Sequence, residues 1–295
     1  MSLKQQGLLG LNTGGFHRIA YTEWGEPNDF PTVVCVHGLS RNGRDFDFLA
    51  SALEANRRVI CPDLVGRGRS DWLKDKQGYG FQTYCADLAA LFARIGGDSF
   101  DWVGTSLGGL IGMVMAAQPN TPIRRLVIND AGPFISRNAP QRILEYLGKA
   151  PPFNSIDEAE LYLRQTLAPY GKLSDEQWAH LARHGVRTKR GGGYAIAYDP
   201  GIAVPMRSAP LVDVDMWEAW DKIRCPVLLL RGATSDVLSR ETAEQMLRRG
   251  PPTAFVEFPD VGHAPALMDP KQIEVVTSWL LAPGRPPRTA RSRRA

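Results

Sequence analysis

The chain has 295 residues, of which 43% are hydrophobic and 22% are charged. These proportions are ordinary for a soluble globular protein with a sizeable core and exclude a fibrous or low-complexity chain. The formal net charge of +4 is unevenly placed, because residues 285–295 contain five arginines and no acid. We predict a disordered basic tail over 283–295. No basic face accompanies this tail, so we expect no nucleic-acid partner.

The apolar runs and the cysteines indicate where the protein resides. No run approaches the roughly 18 apolar residues that span a bilayer, and the first ten residues lack the apolar centre of a signal peptide. None of the four cysteines forms a C-x-x-C pair, so free thiols in a reducing cytosol are expected. We therefore expect a cytoplasmic protein without a membrane partner, either a monomer or a homodimer. The cysteines are Cys35, Cys61, Cys85 and Cys225.

Short apolar runs alternate with segments of helical periodicity along most of the chain. The runs predict strands at 17–23, 32–36, 57–61, 100–103, 123–129, 226–231 and 254–258. The periodic segments predict helices at 44–53, 82–95, 106–118, 240–248 and 270–281. Continuous β-branched runs such as T-V-V-C-V suit strands that are buried on both faces. The alternation predicts an α/β fold, with a mostly parallel sheet and helices on both faces.

The alternation breaks over residues 134–220, where the periodicity is helical. Two capping-box patterns, S-I-D-E at 155–158 and S-D-E-Q at 174–177, are typical of helix starts. We predict that this segment is a helical insertion in the α/β fold. The predicted domain division is a first part of the core at 1–133, the insertion at 134–220, a second part of the core at 221–282 and the tail at 283–295.

The pattern G-T-S-L-G at 104–108 lies between a predicted strand and a predicted helix. A sharp strand-to-helix turn strains the backbone of its central residue, and bulky residues two positions before and after it would collide. Such a turn exposes the Ser106 hydroxyl at a helix N-terminus, where negative charge is favoured. A structural serine in a glycine turn is the alternative, but the strand and helix on either side favour a nucleophile.

A serine nucleophile needs a base, and the chain offers five histidines. His263 lies in the glycine-flanked loop F-P-D-V-G-H-A-P before the last helix, and a late histidine matches one known chain order of the serine triad. His180 and His184 have the i, i+4 spacing of metal ligands without a companion acid motif, so a solvated face is expected. His37 is expected to brace its loop. We predict His263 as the base.

The third member of a triad is an acid that orients the imidazole. Asp236 and Asp130 both follow predicted strands. The 27 positions between Asp236 and His263 leave room for one helix and one strand, so we predict Asp236 as the acid. Asp130 is the alternative and is expected to anchor the loop that enters the insertion. Asp260 is too close to His263 along the loop to be preferred.

An oxyanion formed during acyl transfer needs two backbone donors. One is the N–H of Leu107, the residue after the nucleophile. The other is expected from the loop V-H-G-L-S at 36–40, which follows an early strand and contains a glycine that lets the backbone turn back. We predict that the N–H groups of Leu39 and Leu107 form an oxyanion hole.

These motifs resemble those of the α/β-hydrolase superfamily, and the resemblance spans residues 17–281. Within the superfamily, the chain resembles lid-bearing serine carboxylesterases, including microbial enzymes that act on aliphatic esters and polyesters. The matching segments are H-G-L at 37–39, D-L-V-G-R-G-R-S at 63–70, G-T-S-L-G-G at 104–109, I-N-D-A-G-P-F at 128–134, S-D at 235–236 and G-H at 262–263.

The resemblance implies an α/β-hydrolase fold with an eight-stranded sheet, in which the insertion is a helical cap over Ser106. It implies hydrolysis of a small-molecule carboxylic ester, with aliphatic polyesters and hydroxyalkanoate oligomers among the substrates, and the use of no cofactor and no metal. Aromatic residues of the cap are expected to form walls of the substrate pocket. The candidates are Phe134, Trp217 and Trp220.

Two other functions fit the same residues. A carbon–carbon bond hydrolase of ring-cleavage products or a thioesterase would use the same triad. A hydrolase fold can also be reused as a non-catalytic ligand receptor, although a complete triad with both oxyanion loops argues against that function. Ser106 excludes relatives such as haloalkane dehalogenases, whose nucleophile is a carboxylate.

Overall fold

The fold is described from a computed structural model of the chain, which covers residues 3–283. Residues 1–2 and 284–295, and with them almost all of the predicted basic tail, lie outside the described part of the chain. None of the helices between residues 3 and 283 could serve as a membrane span.

Strands and helices alternate over most of the described chain. The strands are β1 (Lys4–Asn12), β2 (Gly15–Trp24), β3 (Thr32–Val36), β4 (Val59–Pro62), β5 (Phe100–Thr105), β6 (Ile123–Asn129), β7 (Phe134–Ile135), β8 (Val186–Thr188), β9 (Tyr194–Ile196), β10 (Val214–Asp215), β11 (Val227–Gly232) and β12 (Thr253–Phe258). The α-helices are α1 (Asp47–Leu53), α2 (Phe81–Ile95), α3 (Leu107–Ala116), α4 (Asn138–Tyr146), α5 (Ile156–Thr166), α6 (Asp175–Gly185), α7 (Val204–Ser208), α8 (Trp217–Lys222), α9 (Arg240–Arg248) and α10 (Pro270–Leu281). Short 3₁₀ helices occur at Gly43–Phe46, Lys76–Gly78, Ala168–Tyr170 and Pro200–Ala203.

Eight strands form the main sheet, in the order β1-β2-β4-β3-β5-β6-β11-β12. β2 is antiparallel to both of its neighbours, β1 and β4, and every other neighbouring pair is parallel. This arrangement confirms the predicted fold class. Because parallel strands end at the same edge of a sheet, the loops that follow β3, β5, β6, β11 and β12 lie together at that edge.

Strand β3 illustrates why helices cover both faces of the sheet. Val33 and Cys35 pack into an apolar cluster with residues of α1 and α10. Val34 and Val36 pack into a second cluster with residues of α2 and α3. Successive side chains of a strand point to opposite faces, so an entirely apolar strand is stable only when both faces are covered.

The predicted insertion contains α4 to α7 and the first residues of α8. It also contains two small two-stranded antiparallel sheets, β7 with β10 and β8 with β9, which the helical periodicity did not indicate. Side chains fasten it to the core: the Asn42 amide donates to the His184 carbonyl oxygen at 2.8 Å, and the Gln177 amide donates to that of Met268 at 2.9 Å. The domain division and the role of the insertion as a cap stay predictions.

Trp220, an expected pocket wall, lies instead in the core. Its side chain is 0% exposed, and its indole Nε1 donates to the Arg249 carbonyl oxygen at 2.8 Å. Gly250 lies directly against the same ring, where a Cβ would overlap the indole. The expectation that Trp220 contacts substrate is therefore wrong, because the ring is closed off from solvent by the chain around it.

We expect Trp220→Ala to lower the free energy of unfolding by about 3–5 kcal/mol, since it leaves a large cavity in a packed core. Trp217→Ala removes a half-buried ring that stacks on the Arg249 guanidinium, and it should cost less than about 2 kcal/mol. Urea unfolding monitored by circular dichroism measures both values. Equal losses in the two variants would contradict the core position of Trp220.

Candidate active site

Ser106 lies in the sharp turn between β5 and α3. Its backbone angles are φ 51° and ψ −114°, a conformation that a residue with a side chain rarely adopts and that stores strain. A Cβ on Gly104 would overlap the backbone of Gly108, and a Cβ on Gly108 would overlap the Val36 carbonyl oxygen. The crowding expected from the sequence therefore exists at both glycines, and it holds the Ser106 hydroxyl at the carboxyl edge of the sheet.

The side chains of Ser106, His263 and Asp130 form one hydrogen-bonded chain. Ser106 Oγ lies 2.8 Å from His263 Nε2, and His263 Nδ1 lies 2.7 Å from Asp130 Oδ2. The Asp130 carboxylate is 0% exposed and His263 is 13% exposed. With Nδ1 donating to the carboxylate, Nε2 is free to accept the hydroxyl proton of Ser106.

Asp236, the predicted acid, does not contact His263. Its carboxylate is 48% exposed and accepts two hydrogen bonds from the Arg142 guanidinium, one of them 3.0 Å long from Nη2. The prediction of Asp236 in the triad is therefore wrong in geometry, and Asp130 occupies that place. The two acids follow the neighbouring strands β6 and β11, so the order of the strands alone does not show which of them pairs with His263.

The Asp130 carboxylate accepts hydrogen bonds from the carboxyl ends of two strands, β11 and β12. Besides His263, it accepts hydrogen bonds from the Gly232 N–H at 3.0 Å and from the Ser235 hydroxyl at 2.6 Å. Three donors stabilise the negative charge of a carboxylate that water does not reach. Ser235, next to the predicted Asp236, thus orients the acid, and the sequence reasoning missed this role.

Asn129 links the two loops that carry the hydroxyl and the imidazole. Its side-chain Nδ2 donates to Thr105 Oγ1 at 3.0 Å and to the Pro265 carbonyl oxygen at 2.8 Å, and its backbone carbonyl oxygen accepts from the Ser106 N–H at 2.9 Å. Thr105 precedes the nucleophile and Pro265 follows the base by two positions. The separation of Ser106 and His263 is therefore fixed by a fully buried side chain as well as by their own hydrogen bond.

The loop after β3 lies against Ser106, as the oxyanion prediction requires. A Cβ on Gly38 would be 3.6 Å from Ser106 Cβ. Within residues 3–283, the N–H groups of Leu39 and Leu107 have no hydrogen-bond acceptor. The Leu107 N–H is free because the first turn of a helix has no preceding carbonyl to bind. Leu107 directly follows the nucleophile and Leu39 lines the same cavity as Ser106, so both N–H groups stay the predicted donors to an oxyanion.

The His37 ring is held in a single tautomer and stabilises its own loop at 36–40. Its Nδ1 donates to the Gly38 carbonyl oxygen at 2.7 Å, and its Nε2 accepts from the Leu64 N–H at 3.0 Å. Burial, reinforced by the charges of Arg67 and Arg41, lowers the pKa of His37 to about 3. The ring therefore stays neutral at physiological pH and holds the loop that carries Leu39.

A narrow cavity of about 50 Å³ opens beside Ser106 and His263. Much of its wall comes from α4 and the segment after α5. The lining residues from this region are Arg142, Ile143, Tyr146, Thr166, Leu167, Pro169 and Tyr170. Periodicity gave no signal for them, because some of the same side chains also pack on the core, as Ile143 and Leu167 do.

The remaining expected pocket residues, Phe134 and Trp217, do not line this cavity. Phe134 pairs with Asp215 where β7 meets β10, and Trp217 stacks on Arg249. The expectation of an aromatic wall from these two residues is wrong, because both positions are held by contacts outside the cavity.

Asp47, His180 and His184 form a cluster whose ligand atoms lie within 4.8 Å of one another. The Arg44 guanidinium donates to both oxygens of Asp47, and His180 Nε2 donates to the Arg44 carbonyl oxygen at 2.9 Å. Burial and then the charge of Arg44 lower the pKa of His184 to about 3. A guanidinium that occupies the carboxylate opposes a second cation, so we assign no metal to this cluster.

The model of the alpha/beta hydrolase family matches residues 33–274. The chain belongs to this family. The matched segment includes Ser106, His263 and Asp130, so the hydrogen-bonded chain described above lies within the part that defines the family.

Similar proteins agree with this assignment. A 3-hydroxybutyrate-oligomer hydrolase of Cupriavidus necator is 44% identical over 277 residues, which cover 91% of this chain and 94% of that protein. A crystal structure described as an alpha/beta hydrolase from Novosphingobium aromaticivorans is 35% identical, with a TM-score of 0.84 over 94% of this chain and 98% of that one. A hydrolase structure from Rickettsia typhi is 32% identical, with a TM-score of 0.89 over 96% and 100% of the two chains. These matches confirm the prediction of an ester hydrolase with the alpha/beta hydrolase fold.

The two acids can be separated by mutation. We expect Asp130→Asn to lower kcat for a neutral ester, p-nitrophenyl butyrate, by about 10²- to 10⁴-fold, because the imidazole loses its orienting carboxylate. Asp236→Asn removes an exposed ion pair and should change kcat by less than about fivefold. Initial rates with matched protein concentrations measure both. A larger loss in Asp236→Asn than in Asp130→Asn would restore the sequence prediction.

Neutral His37 makes the fold sensitive to acid. Its pKa is lower in the folded state, so the unfolded chain binds more protons between about pH 6.5 and pH 3, and stability falls as pH falls through this window. From about pH 7.5 to pH 5, His37 should account for a loss of about 2 kcal/mol. We expect His37→Gln to lose that much less stability over this range.

Urea unfolding of the wild type and of His37→Gln at both pH values tests this expectation. Burial raises the pKa of Asp63 to about 6, which acts in the opposite direction and is common to both proteins, so their difference isolates His37. The same loss of stability in both proteins would show that His37 is not the acid-sensitive group.

Proposed function

We propose that this protein hydrolyses the ester bonds of short hydroxyalkanoate oligomers, with Ser106 as the nucleophile. The observation that carries the chemistry is the chain of hydrogen bonds from Ser106 through His263 to the buried carboxylate of Asp130. The substrate class rests on the 44% identity to the 3-hydroxybutyrate-oligomer hydrolase, which extends over most of both chains.

In the first half of the reaction, His263 Nε2 accepts the Ser106 hydroxyl proton while Oγ attacks the ester carbonyl carbon. The carbonyl oxygen becomes an oxyanion, which accepts hydrogen bonds from the N–H groups of Leu39 and Leu107. Asp130 stabilises the imidazolium. The bond between the carbonyl carbon and the alcohol oxygen then breaks, and His263 returns the proton to the departing alcohol.

In the second half, water hydrolyses the acyl-enzyme. His263 Nε2 takes one proton from a water molecule, whose oxygen attacks the acyl carbon, and the same two N–H groups hold the second oxyanion. The bond to Ser106 Oγ breaks and Oγ recovers the proton from His263. The products are one alcohol and one carboxylic acid, and the side chains return to their starting states.

The thiols are consistent with a cytoplasmic location, which is part of this proposal. All four cysteines are free, and two of them, Cys35 and Cys61, are buried. Burial raises the pKa of the Cys85 thiol to about 11 and that of Cys225 to about 12. Such thiols are protonated and unreactive at neutral pH, as suits a chain in a reducing compartment.

We expect Ser106→Ala to reduce release of 3-hydroxybutyrate from its linear dimer and trimer by about 10⁴- to 10⁶-fold, because the acyl-enzyme cannot form. Chromatography of the products measures the rate, and the mass of the intact protein should show a phosphonate adduct in the wild type and none in Ser106→Ala. Ser278→Ala, an exposed serine on α10, is the matched control and should behave as the wild type.

Two results would contradict this function. Binding of the dimer with neither turnover nor an adduct would indicate a ligand receptor. Turnover of butyryl thioesters or of carbon–carbon ring-cleavage products, without turnover of the dimer and trimer, would keep the nucleophile but replace the substrate class.

A further inference from the structure

The cavity beside Ser106 carries an arginine that the ester chemistry above does not use. Arg142 belongs to α4, and its side chain lines the same cavity as Ser106 and His263. Its Nε and Nη2 donate to the two carboxylate oxygens of Asp236. Arg142 thus holds a carboxylate at the edge of the cavity in the two-point geometry in which a guanidinium recognises any carboxylate.

We propose that Arg142 binds the free terminal carboxylate of the substrate oligomer, which replaces Asp236 on the guanidinium. The inference rests on the proposed function, because it names the group of an oligomeric hydroxy-acid ester that selects it over a neutral ester. Arg142 is a specificity residue in this scheme, and bond cleavage remains with Ser106, His263 and Asp130.

The charge of the cavity wall suits an anionic substrate. Two arginines, Arg41 and Arg142, line it, and no aspartate or glutamate side chain does so among residues 3–283. A carboxylate that enters therefore meets positive charge and no lining acid. Close to the protein surface, this asymmetry acts more strongly than it would in bulk solvent.

Arg41 is not free to bind a ligand in the same way. It is 4% exposed, and its Nε and Nη2 donate to the two oxygens of Asp45 at 2.8 and 2.7 Å. Breaking that pair would leave a buried charge without its partner, which is strongly unfavourable. The charge of Arg41 is therefore balanced by Asp45 and both of its paired donors are occupied, which leaves Arg142 as the guanidinium available to a substrate.

The pair of Arg142 with Asp236 is easier to exchange. The two side chains are 39% and 48% exposed, so water solvates each partner after separation. Exposed ion pairs shift equilibria by less than about fivefold. A substrate whose ester is held at Ser106 presents its carboxylate to Arg142 at a high effective concentration, as the protein does with Asp236, so the two carboxylates compete on comparable terms.

The position of the carboxylate defines which product Arg142 holds. In a linear dimer of 3-hydroxybutyrate, the free carboxylate lies on the alcohol side of the single ester. When the carbonyl carbon to alcohol oxygen bond breaks and His263 protonates that oxygen, the departing 3-hydroxybutyrate is the piece on Arg142. Asp236 then takes back the guanidinium and the product is released.

If the ion pair of Arg142 and Asp236 had a purely structural role, substitutions in it would have different effects on catalysis. If the ion pair only fastens α4 to the loop after β11, loss of either partner weakens the site for every ester alike. If Arg142 binds the substrate carboxylate, substitution of Arg142 weakens the binding of charged substrates. Substitution of Asp236 strengthens it, since Asp236 competes with the ligand. The sign of the effect at Asp236 therefore separates the two roles.

The experiment compares the 3-hydroxybutyrate dimer with its carboxyl-terminal primary amide, which has the same shape and no charge. We expect Arg142→Gln to lower the preference for the dimer, as the ratio of the two kcat/KM values, by about 10- to 100-fold, chiefly through the KM of the dimer. Arg142→Lys keeps the positive charge but lacks the two-point donor geometry of the guanidinium, and it should recover part of that preference.

Asp236→Asn should raise kcat/KM for the dimer by about two- to fivefold, because the competing carboxylate is gone. The matched control is Arg164→Gln, which removes an arginine that pairs with Glu160 and Asp175 on the insertion and does not line the cavity. This control should keep the wild-type preference. Circular dichroism and thermal unfolding of each variant report its fold.

The inference is overturned if Arg142→Gln keeps the wild-type preference, or if it and Arg164→Gln lower the preference alike. A fall in kcat/KM for dimer and amide together in both Arg142→Gln and Asp236→Asn would assign the pair a structural role. Failure of the wild type to cleave the dimer would instead remove the proposed substrate class and this inference with it. If Arg142→Gln does not fold, the sign of the effect in Asp236→Asn decides.

Discussion

The candidate site depends on the hydrogen bonds that the buried carboxylate of Asp130 accepts. A charge that water cannot reach needs donors from the protein, and this one accepts from Gly232, Ser235 and His263. These donors belong to loops that follow two different strands, while Asp130 itself follows a third. The hydrogen bonds that stabilise the charge therefore also fix the loops relative to one another. The His263 imidazole reaches Ser106 because Asp130 holds the opposite side of its ring.

The fold was predictable from the sequence where a strand is buried on both faces of the sheet. Residues 33–36 of β3 and 227–230 of β11 are apolar without a break, since both faces of the sheet are covered by helices, and such continuous apolar runs identify these strands in the sequence. β1 carries no such mark: it is an edge strand in which only Gly10 is fully buried, so it has neither an apolar run nor an alternating pattern. The small sheets of the insertion were missed for a related reason, because two or three residues are too few to show a period.

The site was predictable where steric or chemical rules act within a few residues. Glycines around Ser106 and the glycine-flanked loop of His263 are local signals, and the structure brings these two side chains together. The choice between Asp130 and Asp236 is not local, because both lie at the carboxyl edge on neighbouring strands and only side-chain direction separates them. The backbone of Asp130 has a φ of 57°, which turns its carboxylate inward, and no spacing rule reports such a turn.

In the proposed scheme, cleavage and selection are supplied by different parts of the chain. The hydroxyl, the imidazole and the buried acid all follow strands of the main sheet, where hydrogen bonds and close packing fix their geometry. Arg142 is supplied by α4 of the insertion, and the contact of its own side chain with the core is an exposed ion pair. Rigid support suits groups that must meet at one distance, and an exchangeable pair suits a group that must release its partner in every cycle. Changes in the insertion can therefore alter which ester enters while the hydrogen-bonded chain behind Ser106 stays as it is.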